Sequence, residues 1–351
     1  MTITNVVPPE EPGAAGTVHV APPVPSATAG SERSRALASA ISRGGAVAVL
    51  ILVLVAGNFI VPHFGSAANL RNTALSASFI AIIAAGMTFV IIGGGIDLSV
   101  GSVFALGVLT SAFLSEYGSF VAVVVPLLIC GLAGLVQGTI IAYLGLPPFI
   151  VTLAGLLGIR GVVYYITGEG NLHPRVTGHR AFETLGQGSF LTIGYPIWIT
   201  LAVFAVGWWL LNRTSFGQAV QAVGESETSA RLMGLPVRRV TTTVYVISGA
   251  LAGLAGVITT AQSGGGQEAR IGDAFELSAI AAVVIGGTLL TGGIGSMVGT
   301  LAGAALLFVI QNLITQGAHA KPYVQLVIRG AFLLVVAVLQ TVLSRRSQQH
   351  T

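Results

Sequence analysis

The sequence predicts an all-α, polytopic membrane protein with about ten transmembrane helices, some of them broken by glycines. Three observations carry this. Of the 351 residues 53% are hydrophobic and only 8% charged, whereas soluble chains are roughly half apolar and a quarter charged. The apolar stretches run close to twenty residues, enough at 1.5 Å per residue to cross a hydrocarbon core of roughly 30 Å, where a membrane barrel would show alternating segments of about ten. Finally, 47 glycines against 7% aromatics imply helices that approach one another closely, because small residues let backbones pack where lipid supplies no hydrophobic drive.

Residues 1–44 are rich in Pro, Ala, Ser and Thr ("VVPPEEPGAAG", "APPVPSATAG"). Such a segment cannot bury a core, so it reads as a disordered tail. It is not a signal peptide: Arg33, Arg35 and Arg43 directly precede an apolar run that lacks a small-residue cleavage pattern. Apolar spans follow at 45–64, 74–93, 98–117, 119–146, 148–167, 193–211, 241–261, 275–292, 294–315 and 321–343, making 45–343 one membrane domain, with 344–351 as a C-terminal tail. Within 74–117 and within 275–315 the interruption is glycine rather than a polar loop.

An even number of spans puts both termini on one side. That side holds Arg33, Arg35, Arg43, Arg213, Arg231, Arg238, Arg239, Arg345 and Arg346, and the other holds Arg71, Arg175, Arg180, Arg270 and Lys321. The excess of positive charge places both termini in the cytoplasm. Residues 168–192 then form an external loop, and 212–240 a long internal one.

The internal loop is punctuated like a helix. Ser226 can cap the first amides, Glu227 sits in the first turn, and Gly234 followed by Pro236 is a stop. "ETSARLM" therefore reads as about two turns, marginal alone in water and held by its own domain or by a partner. A plain surface helix between spans satisfies the same signals.

The first glycine break reads "GGGIDLSVGS" (93–102). Gly93, Gly94 and Gly95 permit a chain break, Asp97 can cap the helix that restarts, and Ser99 and Ser102 follow. Irregular backbone at membrane depth is tolerated only against protein or a water-filled cavity. A looser counterpart, "IGGTLLTGGIGS" (285–296), contains Gly286 and Gly287. Paired glycine-broken segments point to a translocation path in transporters. Asp97 on this reading either contacts the transported molecule or shapes the helices.

Three further charges, Arg160, Glu276 and Arg329, fall within or at the ends of apolar runs. Charge at this depth costs roughly 2.5–3.5 kcal/mol on insertion scales, so such residues mark a pathway, pair together with Asp97 as two acids and two bases, or snorkel. Gly249 with Gly253, and Gly295 with Gly299 and Gly303, are spaced for helix packing. The single cysteine, Cys130, lies in an apolar run and reads as packing, and the six histidines lack ligand spacing, so no metal site is expected.

No phosphate-binding G-x-x-x-x-G-K-[ST] loop occurs, and the sole lysine, Lys321, precedes a proline. The chain is not expected to hydrolyse ATP. An ion-coupled secondary transporter, a channel or a transport subunit energised from outside would all share this absence. A membrane enzyme is the weakest reading, since no set of nucleophile, base and orienter appears in the spans.

The string around Glu227, Ala230 and Gly234, "VGESETSARLMGLPVRRV", resembles the coupling loop of the membrane subunits of ABC importers. "GMTFVIIGGGIDLSVGS", "PPFIVTLAGLLGIRG", "YVISGALAGLAGVI" and "GDAFELSAIAAVVIGGTLLTGGIGSMVGT" occur with it in order, and together they are similar to the ribose/xylose-type sugar permeases over roughly residues 45–343. The resemblance implies the ABC importer permease fold and import of a monosaccharide or similar polyol. Glu227, Thr228, Ser229, Ala230, Arg231 and Gly234 would be the surface that meets the ATPase. The chain itself would bind no cofactor, ATP and Mg being used by the ATPase subunits. Implied partners are a second copy of the chain, cytoplasmic ATPase subunits, a periplasmic or extracellular sugar-binding protein and membrane lipid, with no nucleic acid, in the bacterial inner membrane. The chain departs from the family in reading Glu227-Thr228-Ser229 where Glu-Ala-Ala is usual, which lowers helix propensity slightly, and in Gly93, where a Thr or Ser often precedes the two glycines.

Overall fold

A computed structural model describes residues 29–177, 180–264, 267–318, 327, 330 and 331. The chain divides into two units, Met1–Ser39 and Ala40–Thr351, and every element after α1 belongs to the second. Helix α1 is Ala29–Ile60, so residues 29–44, expected in a disordered tail, are helical. The reason is local: "AGSERSRALASAISR" follows the last proline of the N-terminal stretch, Pro25, and its four alanines and three arginines lose little freedom in a helix.

The helices that follow are α2 (Ala67–Ile92), α3 (Val100–Leu114, extended by a 3-10 turn, Ser115–Tyr117), α4 (Ser119–Leu144) and α5 (Pro148–Ile166). In the expected external loop lie α6 (Arg180–Gln187) and a small hairpin, β1 (Ser189–Phe190) with β2 (Ile193–Gly194), followed by α7 (Tyr195–Arg213). The expected internal loop folds into two helices, α8 (Ser215–Glu225) and α9 (Glu227–Leu232), before α10 (Val237–Ser263), α11 (Phe275–Ile285) and α12 (Met297–Ala318).

Among the described residues seven helices are long and apolar enough to cross a membrane: α2, α3 with its turn, α4, α5, α7, α10 and α12. Gly45–Ile60 of α1 and α11 are apolar but shorter. The expected span 321–343 lies outside the described residues but for isolated positions. The expected span 275–292 is corrected: the helix stops at Ile285, and eleven residues reach only about 16 Å, half the hydrocarbon core. Gly286 and Gly287 (φ +87°) terminate it, although hydropathy continues across them.

The core is built around α2 and α10. In α2 83% of the most apolar stretch is buried within the chain, against 17% in α5. The exposed apolar faces of α4, α5 and α7, with Leu132, Leu157 and Trp209 among them, are therefore left for lipid or a neighbouring subunit. Contact with α10 runs through small residues. A Cβ added at Gly86 of α2 would lie 2.9 Å from the Cα of Ser248, one at Gly107 of α3 3.0 Å from the Cα of Gly253, and one at Gly134 of α4 would strike the carbonyl of Tyr245. Gly249 and Gly253 pack against Cys130 of α4, whose buried thiol lies 3.4 Å from the Val103 carbonyl of α3. Gly299 and Gly303 pack against Gly286 and Ala282, and Gly295 against Ile92. All five glycines expected to serve packing do so within one chain.

This arrangement predicts opposite effects for two substitutions of the same kind. Gly134→Ala forces α4 away from α10 and should cost about 1–3 kcal/mol, as overpacking does. Gly158→Ala in α5, where an added Cβ meets nothing within 4 Å, should be neutral or gain up to about 1 kcal/mol from helix propensity. Thermal denaturation of each variant in detergent, followed by size-exclusion chromatography, separates the two.

Candidate functional site

Helix α2 ends by satisfying its own last carbonyls. The amides of Gly93, Gly94 and Gly95 donate to Phe89, Ile91 and Val90 at 2.9, 3.0 and 2.9 Å, and Gly94 takes φ +83°, a conformation costly for any residue with a Cβ. Gly95 has no room for one either, since it would lie 2.5 Å from the Tyr245 hydroxyl.

Asp97 then organises the restart of the chain into α3. It is 2% exposed. Its Oδ1 accepts from the Ser99 amide at 2.9 Å and the Ser99 hydroxyl at 2.6 Å, and its Oδ2 accepts from the Ser248 hydroxyl of α10 at 2.8 Å. Asp97 thus does take an amide at the helix start. Ser99 makes no side-chain cap, because its hydroxyl is engaged by Asp97 and accepts from Gln137 Nε2 of α4 at 3.0 Å. The Ser102 hydroxyl donates to the Leu156 carbonyl of α5 at 2.8 Å, and Thr152 of α5 reaches the Ile96 carbonyl at 3.2 Å. Every donor to the carboxylate is neutral. Among the described residues the ion pairs are Arg160 with Asp273 and Arg231 with Glu227, so Asp97 works as a hub of hydrogen bonds tying the break to α10.

The second break meets the first. After α11 the chain turns at Gly292 (φ +86°) and Gly293 (φ +76°), and the Gly293 amide donates to the Ile92 carbonyl at 2.8 Å. That carbonyl belongs to the last residue of α2 and would otherwise be unpaired. A Cβ on Gly292 would lie 3.0 Å from the Cα of Gly94 and 2.7 Å from the carbonyl oxygen of Gly224. A Cβ on Gly224, near the end of α8, would strike the Ile92 carbonyl. Three backbones, at 92–94, 224 and 292–293, therefore touch with no side chain between them. Gly286 and Gly287, singled out in the sequence, end α11 instead, Gly286 lying against α12.

One residue separates α8 from α9. Ser226 Oγ accepts from the Ser229 amide at 3.2 Å, Glu227 occupies the first turn, and Gly234 adopts φ +78° after the helix. Ala230 is buried against the membrane domain, while Thr228 and Ser229 are exposed, as are Glu227 and Arg231, which pair at 2.5 Å along the helix. Leu232 is 85% and Met233 68% exposed. A cavity of about 420 Å³ separates the first break from this helix and is bordered by Gly94, Gly95, Glu227, Arg231, Arg238 and the buried Tyr245 hydroxyl.

The other charges lie away from this junction. Arg160 of α5 donates to the carbonyls of Ala269 and Ile271, both at 3.0 Å, and pairs with Asp273 at 3.1 Å. Its acid is therefore Asp273, which the sequence reading did not single out. Glu276 is half-buried in the first turn of α11, its carboxylate against Gly101 of α3. Arg329 lies outside the described residues. Sequence reasoning also missed Gly224, Gln137, Thr152 and Ser248. A glutamine, a threonine and a serine in apolar helices are the only signal the last three carry.

Broken membrane helices joined to a short exposed helix define a transport permease. Comparison with known proteins places it: the chain belongs to the family described as the permease component of branched-chain amino acid transport systems, whose model matches residues 69–337. It is 39% identical over 299 residues to the ribose import permease protein RbsC of Haemophilus influenzae, covering 84% of this chain and 90% of the relative. It is 39% identical over 290 residues to the inner membrane ABC transporter permease protein YjfF of Escherichia coli, covering 80% and 85%. It is 36% identical over 313 residues to the L-arabinose ABC transporter permease protein AraH of Azospirillum brasilense, covering 88% and 90%. The family expected from the sequence motifs is the one found.

Two outcomes follow. Asp97→Ala leaves three buried donors without an acceptor, each worth about 1–3 kcal/mol, whereas Asp97→Asn retains one oxygen. Both should lower the thermal midpoint in detergent, the alanine variant by more. Gly224→Ala should reduce transport at least about tenfold, the equivalent of 1.4 kcal/mol, in membranes that contain normal amounts of the protein, as read by uptake normalised to immunoblot.

Proposed function

We propose that this chain is the membrane-spanning subunit of an ATP-driven importer for a monosaccharide or similar polyol. The observation that carries this is the contact of Gly224 with both helix breaks, one turn from an exposed, capped helix, in a chain whose relatives are named as ribose and L-arabinose permeases. The chain works as a homodimer in the bacterial inner membrane, with both termini cytoplasmic, the side on which arginines are concentrated. Separate ATPase subunits bind ATP and Mg on that side. A sugar-binding protein delivers the solute on the other.

The mechanism is mechanical. Closure of the ATPase pair on ATP shifts α9, whose exposed Glu227, Thr228, Ser229, Arg231, Leu232, Met233 and Gly234 form the docking surface. Ser226 passes the shift to α8, and Gly224 passes it to the ends of α2 and to the 286–296 segment. The two positions of this junction correspond to the two access states, each stabilised by different contacts. An ion-coupled mechanism is less well supported, because both oxygens of Asp97 are already occupied by protein donors.

Proteoliposomes containing the chain, its ATPase and its binding protein test this with radiolabelled D-ribose and L-arabinose. Uptake of at least one sugar should require ATP and survive dissipation of ion gradients by ionophores, and Leu232→Asp should abolish it while leaving the membrane subunit folded. Uptake that persists without the ATPase and collapses with an ion gradient would sink the proposal.

A further inference from the structure

We infer that the open cavity between α2, α3, α10, α11 and α12 is a recognition site of the permease itself for a single neutral, polyhydroxylated ring. The inference rests on the reading of the chain as a sugar permease. The cavity measures about 230 Å³ and lies in the half of the bundle remote from Gly224. Its polar lining comes from the first half of α2 (Ser76), the last turns of α10 (Thr259), the first turn of α11 (Ser278) and the second half of α12 (Gln311).

The chemistry of the lining selects the ligand. Gln311 Oε1 is buried without a hydrogen-bond partner among the described residues, a costly state that an incoming hydroxyl would relieve. The Thr259 hydroxyl donates to its own helix at Ala255, 2.8 Å away, which leaves its oxygen free to accept from a ligand hydroxyl. The remaining wall is apolar, four phenylalanines beside Ile80, Ile271 and Leu307. Phe104 and Phe275 form a tilted pair with ring centres 4.9 Å apart, and Phe79 and Phe308 are the other two rings. Flat apolar rings beside a few hydroxyl and amide groups match a sugar, which presents C–H faces and hydroxyl edges. Among the described residues no charged side chain lines the cavity, so an ionic solute would be desolvated there without compensation.

Arg160 acquires a role on this reading. Its guanidinium holds the Ile271 carbonyl at 3.0 Å and Asp273 at 3.1 Å, in the segment that brings Ile271 and Phe275 into the wall. Arg160 is a positioning residue, acting through that segment.

The test uses the full chain in nanodiscs with Ser76→Cys as reporter, the native Cys130 being fully buried. N-ethylmaleimide should label Cys at position 76, where the native serine is exposed, and millimolar D-ribose or L-arabinose should slow labelling about threefold at about twice the Kd. Sodium glutamate should have no effect, and adding Gln311→Leu should remove the protection. Absence of labelling, labelling that no sugar slows, equal protection by glutamate, or full protection with Gln311→Leu would each overturn the inference. Uptake by the wild-type importer, measured in parallel, separates the two levels. Transport without protection removes only this site, whereas absence of both sugar transport and protection removes the reading beneath it as well.

Discussion

The arrangement depends on one requirement: backbone at membrane depth must find its hydrogen-bond partners inside the protein. A continuous helix meets it automatically, and this chain breaks two helices. The Ile92 carbonyl, exposed by the first break, is satisfied by the Gly293 amide, exposed by the second. Each interruption therefore supplies the partner that the other lacks. The same economy governs Asp97, which gathers donors from α3 and α10 on one carboxylate, and Thr152, which takes up the Ile96 carbonyl from α5.

That requirement explains why glycine dominates the places that matter. Backbone can meet backbone only where side chains are absent, and both the α10 contacts and the meeting of 92–94, 224 and 292–293 are of this kind. A joint made this way has little slack. Displacing Gly224 displaces the carbonyl end of α2 and the turn at Gly292 directly, so a short helix such as α9, itself without a core, can act on elements deep in the bundle.

Legibility in the sequence followed the range of the interaction. The first break and the caps of α9 were readable because glycines, Asp97, Ser226 and Gly234 act on neighbours a few residues away. What went unread depends on distant partners: Ser248 meets Asp97 across 151 positions, and Gly224 is a lone glycine in a loop whose importance lies in what approaches it. The end of α11 was misplaced for another reason, since Gly286 and Gly287 stop a helix while leaving average hydropathy high. Helix α8 was read as loop because its eleven residues are too mixed in polarity to resemble a span. Pairing among the four singled-out charges was one of the readings that the sequence left open, yet Arg160 pairs with an exposed acid at the edge of the bundle, where a charge is less costly to place.

The brevity of α11 has a consequence for how the protein responds to its lipid. A full-length span is pinned at both interfaces, and a change in bilayer thickness tilts it or strains its anchors. At eleven residues, packed through Gly286 against Gly299 of α12, α11 reaches one interface at most. Its axial position is set by protein contacts, and thinning or thickening of the membrane acts on its neighbours while leaving it without a mismatch of its own. The element joined to the central junction is thereby insulated from membrane composition, and the outer helices bear that load.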